Sequence, residues 1–178
     1  QGSILGPLMF LLYVNDFHLC LRSAETFHFA DDTTILVHAR SVKEIKKAMR
    51  SLLKTILDWL AANRLTLNAK KTEIVLFRSK SKLCDTRFTI KIKGHKIYLS
   101  NKVKYLGVFL DPHLEWKHQV TELAKKLSIA VGLLSKIRHY VDPTTLKSLH
   151  FSLFHSSLAY DCMVWGTANK MVLDKISR

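Results

Sequence analysis

Acidic residues are scarce in this sequence of 178 residues. The 14 Asp and Glu are outnumbered by 28 Lys and Arg, so that the formal net charge is +14 at pH 7. A globular chain this basic usually meets a polyanion, which is most often a nucleic acid and less often an anionic membrane. Apolar residues make up 48% of the chain, which excludes an intrinsically disordered protein.

Cysteine and long apolar runs are also scarce. Cys20, Cys84 and Cys162 are far apart and odd in number, and they form no CxxC pair and no His/Cys cluster. We therefore expect reduced thiols in an intracellular protein. The longest apolar run, 4–14, is too short to cross a bilayer and contains Gly6 and Pro7, so we expect no membrane partner.

The hydrophobic periodicity predicts an α+β fold. Residues 7–17 read as a short buried helix, 27–29 and 33–37 as the strands of a hairpin, and 41–65 as an amphipathic helix with a capping box at Ser41 and Glu44. Strand-like runs follow at 72–77, 88–92, 97–99 and 105–110. Beyond Asp111-Pro112 the pattern is helical, with a long helix over 116–137 and a second one capped by Asp142-Pro143. We place a domain boundary there, between 1–111 and 112–178.

Two adjacent acids interrupt the predicted hairpin in "FHFADDTTILV", residues 27–37. Two like charges about 4 Å apart repel by roughly 1 kcal/mol in bulk water and about 4 kcal/mol near a protein surface. A hard divalent cation such as Mg²⁺ turns that cost into a gain, because it prefers carboxylate and phosphate oxygens. Asp31 and Asp32 are therefore candidate metal ligands, and the alternative is an ordinary solvated turn.

Three further motifs have a functional and a structural interpretation. The first motif, "QGSILGP", contains two glycines that would let the backbone approach a ligand closely. The structural alternative is an ordinary loop that leads into a helix. "LNAKKTE" offers a lysine that could neutralise a triphosphate, or it is a basic turn between a helix and a strand. "YLGVFLD" is a core strand in which Gly107 forms a bulge, unless it has a binding role.

Positive charge is concentrated between residues 78 and 104, with nine Lys or Arg and a single acid, Asp85. In "RFTIKIKGHKIYL" apolar residues alternate with these cations, so that one sheet face is basic. Such a face is a plausible track for a phosphate backbone, although a solvated sheet face has the same pattern. The candidate nucleic-acid contacts are Arg78, Lys80, Lys82, Arg87, Lys91, Lys93 and Lys96.

The order of the motifs resembles a known family. "QGSILGPLMFLLYVND", "FADD", "LNAKKTE" and "YLGVFLD" follow one another as in the palm of a reverse transcriptase, in particular that of jockey-like, non-LTR (LINE-type) retrotransposons. The helical tail, with "LAYDCMVWG" near its end, is similar to the thumb-like region that follows. The resemblance implies a partial right-hand polymerase palm, with a catalytic β-hairpin, an amphipathic helix and a small antiparallel sheet, followed by a helical thumb-like region.

The same resemblance implies a role for each motif. Asp31 would be the main ligand of Mg²⁺ or Mn²⁺, with Asp32 as its neighbour, and Lys71 would approach the triphosphate of an incoming dNTP. The enzyme would extend a DNA primer on an RNA template. The remaining substrate-contacting residues are Gln1 and Gly2 beside the nucleotide and template, Phe29 and Ala30 in the hairpin, and Tyr105, Leu106 and Gly107 in a strand that grips the primer end.

The family also needs an aspartate on a strand upstream of the Gln-Gly block, as well as the fingers. The sequence opens on Gln1 inside a motif, so we expect a fragment that lacks an N-terminal part of the same polyprotein and is inactive alone. A catalytically dead, RNA-binding remnant of such an element is the main alternative. An unrelated metal-dependent hydrolase is a further one, but the sequence has no HExxH motif and no histidine cluster.

Overall fold

A computed structural model describes residues 4–21, 24–81, 88–92 and 94–176. The described chain is a mixture of helices and small antiparallel sheets, as predicted. It divides into two compact units, of which the first comprises Gln1–Glu73 and Leu83–Leu99 and the second Ile74–Lys82 and Ser100–Arg178. No helix in the described ranges is long and apolar enough to cross a membrane.

The longest helix of the first unit, α2 (Val42–Ala62), begins at the predicted cap. The Ser41 side chain accepts a hydrogen bond from the backbone N–H of Glu44. The Glu44 carboxylate accepts one in return from the N–H of Arg40, at 3.1 Å, one residue earlier than in a standard capping box. Leu52 and Ile56 are buried on the predicted apolar face.

A small core joins α2 to a β-hairpin. The hairpin pairs β1 (Glu25–Phe29) with β2 (Asp32–Leu36), and it follows a 3₁₀ turn, Phe17–Cys20. Phe17 and Leu21 are buried with the two α2 residues, and Ile35 of β2 packs against them. The hairpin is therefore held on α2 through its inner face.

The prediction of a buried first helix is wrong in one respect. Helix α1 (Leu5–Val14) forms, with Pro7 in its first turn, but it has no buried residue. Leu8 is 53% exposed and Leu12 is 64% exposed, and the Tyr13 hydroxyl donates to the Asn63 carbonyl. An apolar run predicts a helix, but it does not reveal whether other residues of this chain bury that helix.

The second sheet of the first unit follows the predicted alternation. β3 (Thr89–Ile92) pairs with β4 (His95–Tyr98), and the turn between them contains Gly94 with φ +83°. Ile90 and Ile92 are buried, together with Phe88 just before the strand, whereas Lys91 is exposed. The strand predicted at 97–99 thus begins at His95.

In the second unit, the predicted strand over 105–110 is instead a hairpin. β5 (Val103–Tyr105) and β6 (Val108–Leu110) are antiparallel, and the two residues between them have positive φ, +45° at Leu106 and +90° at Gly107. Two successive positive φ values are typical of a type I′ turn. Gly107 is therefore a turn residue and not a bulge.

The strand predicted at 72–77 forms none of the ribbons in the described chain. Within this stretch, the Ile74 carbonyl accepts an isolated hydrogen bond from the Ser100 N–H at 2.8 Å. Just after it, the Arg78 N–H donates to the Pro112 carbonyl at 3.0 Å. Its β-branched residues favour extended backbone, but periodicity does not reveal whether a partner strand is present.

The core of the second unit forms around α3 (Lys117–Ile137). Val120, Leu123 and Leu127 are buried against Val108 of β6 and against Trp165. The C-terminal half of the helix is more open, with Val131 at 49% exposure. The remaining helices are short: α4 (Pro143–Leu149), a π-helix (His150–His155), α5 (Ser156–Ala159), α6 (Cys162–Trp165) and α7 (Lys170–Leu173).

The cap predicted for α4 is present, since Asp142 accepts from the N–H groups of Thr144 and Thr145 at 2.9 and 3.0 Å. The hydrogen bond from the Thr145 hydroxyl is the largest cause that holds the pKa of Asp142 below its ordinary value, and the backbone N–H groups of Thr145 and Thr144 lower it further. Cys20 and Cys162 are free thiols, as expected, and burial raises the pKa of Cys20. Cys84 lies outside the described residues.

Asp111 connects β6 to α3. Its carboxylate is 9% exposed and accepts hydrogen bonds from the N–H groups of His113 (3.0 Å), Glu115 (3.1 Å) and Trp116 (2.9 Å). These donors lead into the first turn of α3, which also favours a negative charge. In the sequence, the Asp111-Pro112 pair marks the point where the mixed strand and helix pattern becomes purely helical. In the structure, Asp111 is buried at the junction between β6 and α3.

Replacing Asp111 by Ala should lower the free energy of unfolding by about 2–3 kcal/mol, because hydrogen bonds to a charged acceptor are lost in a buried place. Urea unfolding followed by tryptophan fluorescence measures the change, since Trp116 and Trp165 lie in this core. Asp58→Ala, on the exposed side of α2, is the matched control and should be nearly neutral. Equal effects of the two substitutions would contradict this role.

Candidate active site

The two candidate metal ligands lie at the apex of the β1–β2 hairpin, as predicted. Phe29 and Asp32 form its last residue pair, which leaves Ala30 and Asp31 as a two-residue turn. Ala30 has φ +52°, and tight hairpins need a positive φ at this position. Both carboxylates are exposed. We call Asp31 and Asp32 the acidic apex.

The outer face of the hairpin combines aromatic rings with one of these acids. Side chains alternate along a strand, so that Phe27, Phe29 and Asp32 share a face. Phe27 is 47% exposed and Phe29 is 62% exposed. Exposed rings beside an acid offer a flat apolar surface next to a cation-binding group, which fits a ligand that has both a ring and a phosphate.

The inner face fixes the orientation of the apex. The His28 ring meets the Phe17 ring edge-on with centroids 5.4 Å apart, and the Phe17 ring meets that of Trp59 at 4.8 Å. The Thr33 hydroxyl lies 3.2 Å from His28 Nδ1. Burial lowers the pKa of His28, and nearby His18 adds to this. Sequence reasoning missed this aromatic contact, because Phe17 and Trp59 are distant in sequence.

The donor chemistry of the acidic apex fits a hard divalent cation. Carboxylate oxygens are the ligands that Mg²⁺ and Mn²⁺ take in proteins, and Mg²⁺ is usually held by one or two carboxylates together with phosphate oxygens and water. Within the described ranges, no group of three or more His, Cys, Asp or Glu is arranged to hold a metal ion. The pair by itself would therefore supply only part of a coordination shell, and the other oxygens would have to come from elsewhere.

Lys71 lies in a turn that Asn68 organises. The Lys71 N–H is 3.1 Å from the Asn68 carbonyl and 3.3 Å from its Oδ1, and the Thr72 hydroxyl donates to the same carbonyl at 2.9 Å. The Lys71 side chain is exposed. No hydrogen bond or ion pair among the described residues joins it to the acidic apex. Gln1 and Gly2 lie outside the described residues.

The β5–β6 hairpin of the second unit contains the three residues predicted to contact the primer. Tyr105 is the last residue of β5, and Leu106 and Gly107 follow it. The predicted strand over these residues is wrong, because Leu106 and Gly107 are the turn itself. The turn carries positive charge nearby: the ammonium groups of Lys102 and Lys104 lie 5.8 and 5.7 Å from the centre of the Phe109 ring. This is within the range of cation–π attraction.

The predicted nucleic-acid contacts fall in both units. Lys91 and Lys96 are opposite each other in β3–β4 and are exposed. In the second unit, the Arg78 carbonyl is 2.9 Å from His113 Nδ1, and Lys80 forms an ion pair with Glu115. That pairing, with help from Lys117, holds the pKa of Glu115 below its ordinary value. Three of the predicted contacts lie outside the described residues: Lys82, Arg87 and Lys93.

The ion pair weakens the prediction that Lys80 contacts nucleic acid. A phosphate group would have to compete with the Glu115 carboxylate for its ammonium group. The exposed Lys91 and Lys96 have no such competitor among the described residues, so the β3–β4 ribbon is the stronger candidate surface.

Comparison with known families confirms the resemblance of the motifs. Residues 1–110 match the family described as reverse transcriptase (RNA-dependent DNA polymerase). Among the most similar proteins is the RNA-directed DNA polymerase from mobile element jockey of Drosophila melanogaster, which is 24% identical over 99% of this chain and 20% of its own length.

Two further relatives come from other elements. The probable RNA-directed DNA polymerase from transposon X-element of Drosophila melanogaster is 26% identical over 94% of the chain and 19% of its own length. The retrovirus-related Pol polyprotein from type-1 retrotransposable element R1 of Bradysia coprophila is 28% identical, over 93% of the chain and 17% of its own length. The chain thus spans a fifth or less of these relatives. No solved structure matches it significantly.

The positive φ of Ala30 yields a test of the hairpin geometry. Ala30→Gly should raise the free energy of unfolding of the first unit by about 0.5–1 kcal/mol, because glycine adopts positive φ without steric cost. Ala48→Gly inside α2 is the control and should lower it by about 1 kcal/mol. Urea unfolding followed by the NMR signals of Leu52 and Ile56 measures both. A loss of stability in Ala30→Gly as large as in the control would contradict a tight turn here.

Proposed function

Because the chain belongs to the reverse transcriptase (RNA-dependent DNA polymerase) family, we propose that it carries part of the active site of a retrotransposon polymerase. The reaction is the attack of a primer 3′-hydroxyl on the α-phosphorus of a dNTP, directed by an RNA template. The observation that carries the proposal is the pair of exposed carboxylates at the apex of an anchored hairpin.

In this proposal, Asp31 and Asp32 bind the divalent cation that the reaction needs, Mg²⁺ or Mn²⁺. Such a cation, when bound, stabilises the charge on the attacking and leaving oxygens. The protein contributes by holding the two carboxylates next to each other at the apex of the hairpin. The hairpin does this because Ile35 and His28 on its inner face pack against the small core, His28 on the Phe17 ring.

The proposal also assigns a substrate to each of the other motifs. Lys71 approaches the triphosphate, and Gln1 and Gly2 lie beside the nucleotide and template. Leu106 and Gly107, which form a hairpin turn, are the proposed contact with the primer. Two lysines beside that turn, Lys102 and Lys104, support a phosphate contact there.

We further propose that residues 1–111 act as an incomplete palm and residues 112–178 as a thumb-like region. The relatives named above are about five times longer or more, which supports a working enzyme that includes an N-terminal part of the same polyprotein with the fingers and a further aspartate. Its partners are the RNA template, the DNA primer and dNTP. An intracellular location, in cytoplasm and nucleus, follows from these substrates.

A catalytically dead RNA-binding remnant is the second candidate. The net charge of +14 and the exposed Lys91 and Lys96 of the β3–β4 ribbon favour RNA binding whether or not catalysis occurs. The two candidates differ at the acidic apex, because a remnant has no need of its carboxylates.

Asp31→Asn should reduce primer extension by roughly 100-fold or more in a polymerase that contains this chain together with its N-terminal part, because one charged metal ligand is lost. Asp32→Asn should also reduce it, and Asp58→Asn on α2 is the matched control without effect. Extension on a poly(rA)·oligo(dT) template with Mg²⁺ measures the rates. Wild-type rates in both apex variants would refute the assigned role.

The 178-residue chain alone should bind RNA but show no primer extension, because the described residues offer no third acid beside the apex. The logarithm of its affinity should fall linearly with the logarithm of salt concentration, with a slope of about −0.7 for each phosphate contact. Fluorescence anisotropy with a labelled RNA measures this. Robust Mg²⁺-dependent synthesis by the isolated chain, or an affinity that salt does not change, would count against the account.

A further inference from the structure

We propose that Tyr160 is a positioning residue of this polymerase, which holds the β5–β6 turn in the shape that meets the primer. The inference rests on the proposed function for its final step, the contact with the primer. Its structural part concerns only the second unit, in which Tyr160, Leu106 and Gly107 all lie.

Tyr160 covers the turn with both its hydroxyl group and its ring. The hydroxyl donates a hydrogen bond to the Leu106 carbonyl at 2.6 Å, across 54 residues of sequence. A Cβ added to Gly107 would lie 3.2 Å from Cε1 of the ring and 3.3 Å from the hydroxyl oxygen. The φ of +90° favours glycine at this position, and a Cβ here would also have to move the Tyr160 ring by a few tenths of an ångström.

The turn needs an external partner because it is strained and its strands are short. Leu106 has φ +45°, a conformation that costs energy for a residue with a Cβ. Each strand has three residues, and an isolated two-stranded ribbon is at best marginally stable in water. A hydrogen bond to the central carbonyl of the turn favours the strained shape over a relaxed loop.

Tyr160 is itself fixed by the core. Its carbonyl accepts a hydrogen bond from Nε1 of Trp165 at 2.8 Å, and Trp165 is 5% exposed and packs in the same core as Val108. Asp161, the next residue, has φ +50°, so the chain turns sharply after Tyr160. A closed path of contacts therefore leads from the turn through Tyr160 and Trp165 back to β6.

Tyr160 is not itself part of that core, since its side chain is 53% exposed. Loss of its hydroxyl therefore removes one hydrogen bond and leaves the packing in place. Tyr160→Phe separates the two contributions, because it keeps the ring against Gly107. Tyr140→Phe is a matched control in the same unit, at a tyrosine that is 87% exposed.

Hydrogen exchange on the full 178-residue chain tests the structural step. In Tyr160→Phe, the amides of residues 105–109 should exchange roughly 2- to 10-fold faster, as expected for the loss of one neutral hydrogen bond. Amides in α3 and all amides in Tyr140→Phe should keep their wild-type rates. Unchanged rates at the turn, or a uniform increase over the whole unit, would overturn the proposal.

Primer-extension kinetics in the polymerase with its N-terminal part tests the functional step. Tyr160→Phe should raise the KM for primer–template by a similar factor while kcat stays near wild type, and Tyr160→Ala should raise it further. Faster exchange at the turn without a change in this KM would overturn the link to the primer. A wild-type polymerase without any extension would refute the proposed function, and the exchange data would still decide whether Tyr160 holds the turn.

Discussion

The edge-on packing of Phe17 between His28 and Trp59 is the interaction on which the candidate site depends. Two carboxylates about 4 Å apart repel by roughly 1 kcal/mol in bulk water, a cost that a pair of exposed aspartates on a short turn can bear. The hairpin here is held by its inner face, so its apex keeps both acids exposed on one short turn. Under the proposed function, a cation bound between the two acids would offset this repulsion.

In the second unit, a hydrogen bond rather than aromatic packing holds the β5–β6 turn in place. Its three-residue strands cannot hold a strained turn alone, and Tyr160 supplies the missing contact from a distant helical segment. Asp111 joins β6 to α3 in the same unit through three backbone donors. Both turns that we assign to substrates thus depend on contacts with residues distant in sequence, Phe17 for the first and Tyr160 for the second.

Local features were predictable from sequence and long-range ones were not. The caps at Ser41 and Asp142 and the alternation in β3 each depend on a few neighbouring residues. The sequence predicts a strand across the turn at Leu106-Gly107, because hydrophobic periodicity does not show that a leucine has a positive φ. The contact of Tyr160 with Leu106 and the exposure of α1 depend on residues far away in sequence or on surface that the apolar pattern cannot identify.

Paramagnetic broadening by Mn²⁺ tests the central claim most directly, because it reports a weakly bound cation at the residues that hold it. On the 178-residue chain, substoichiometric Mn²⁺ should broaden the amide signals of residues 29–33 first. The replacement of both Asp31 and Asp32 by Asn should abolish this selectivity. Equal broadening around other exposed acids such as Asp16 and Asp58, or selectivity that survives in the double variant, would contradict a cation site at the acidic apex.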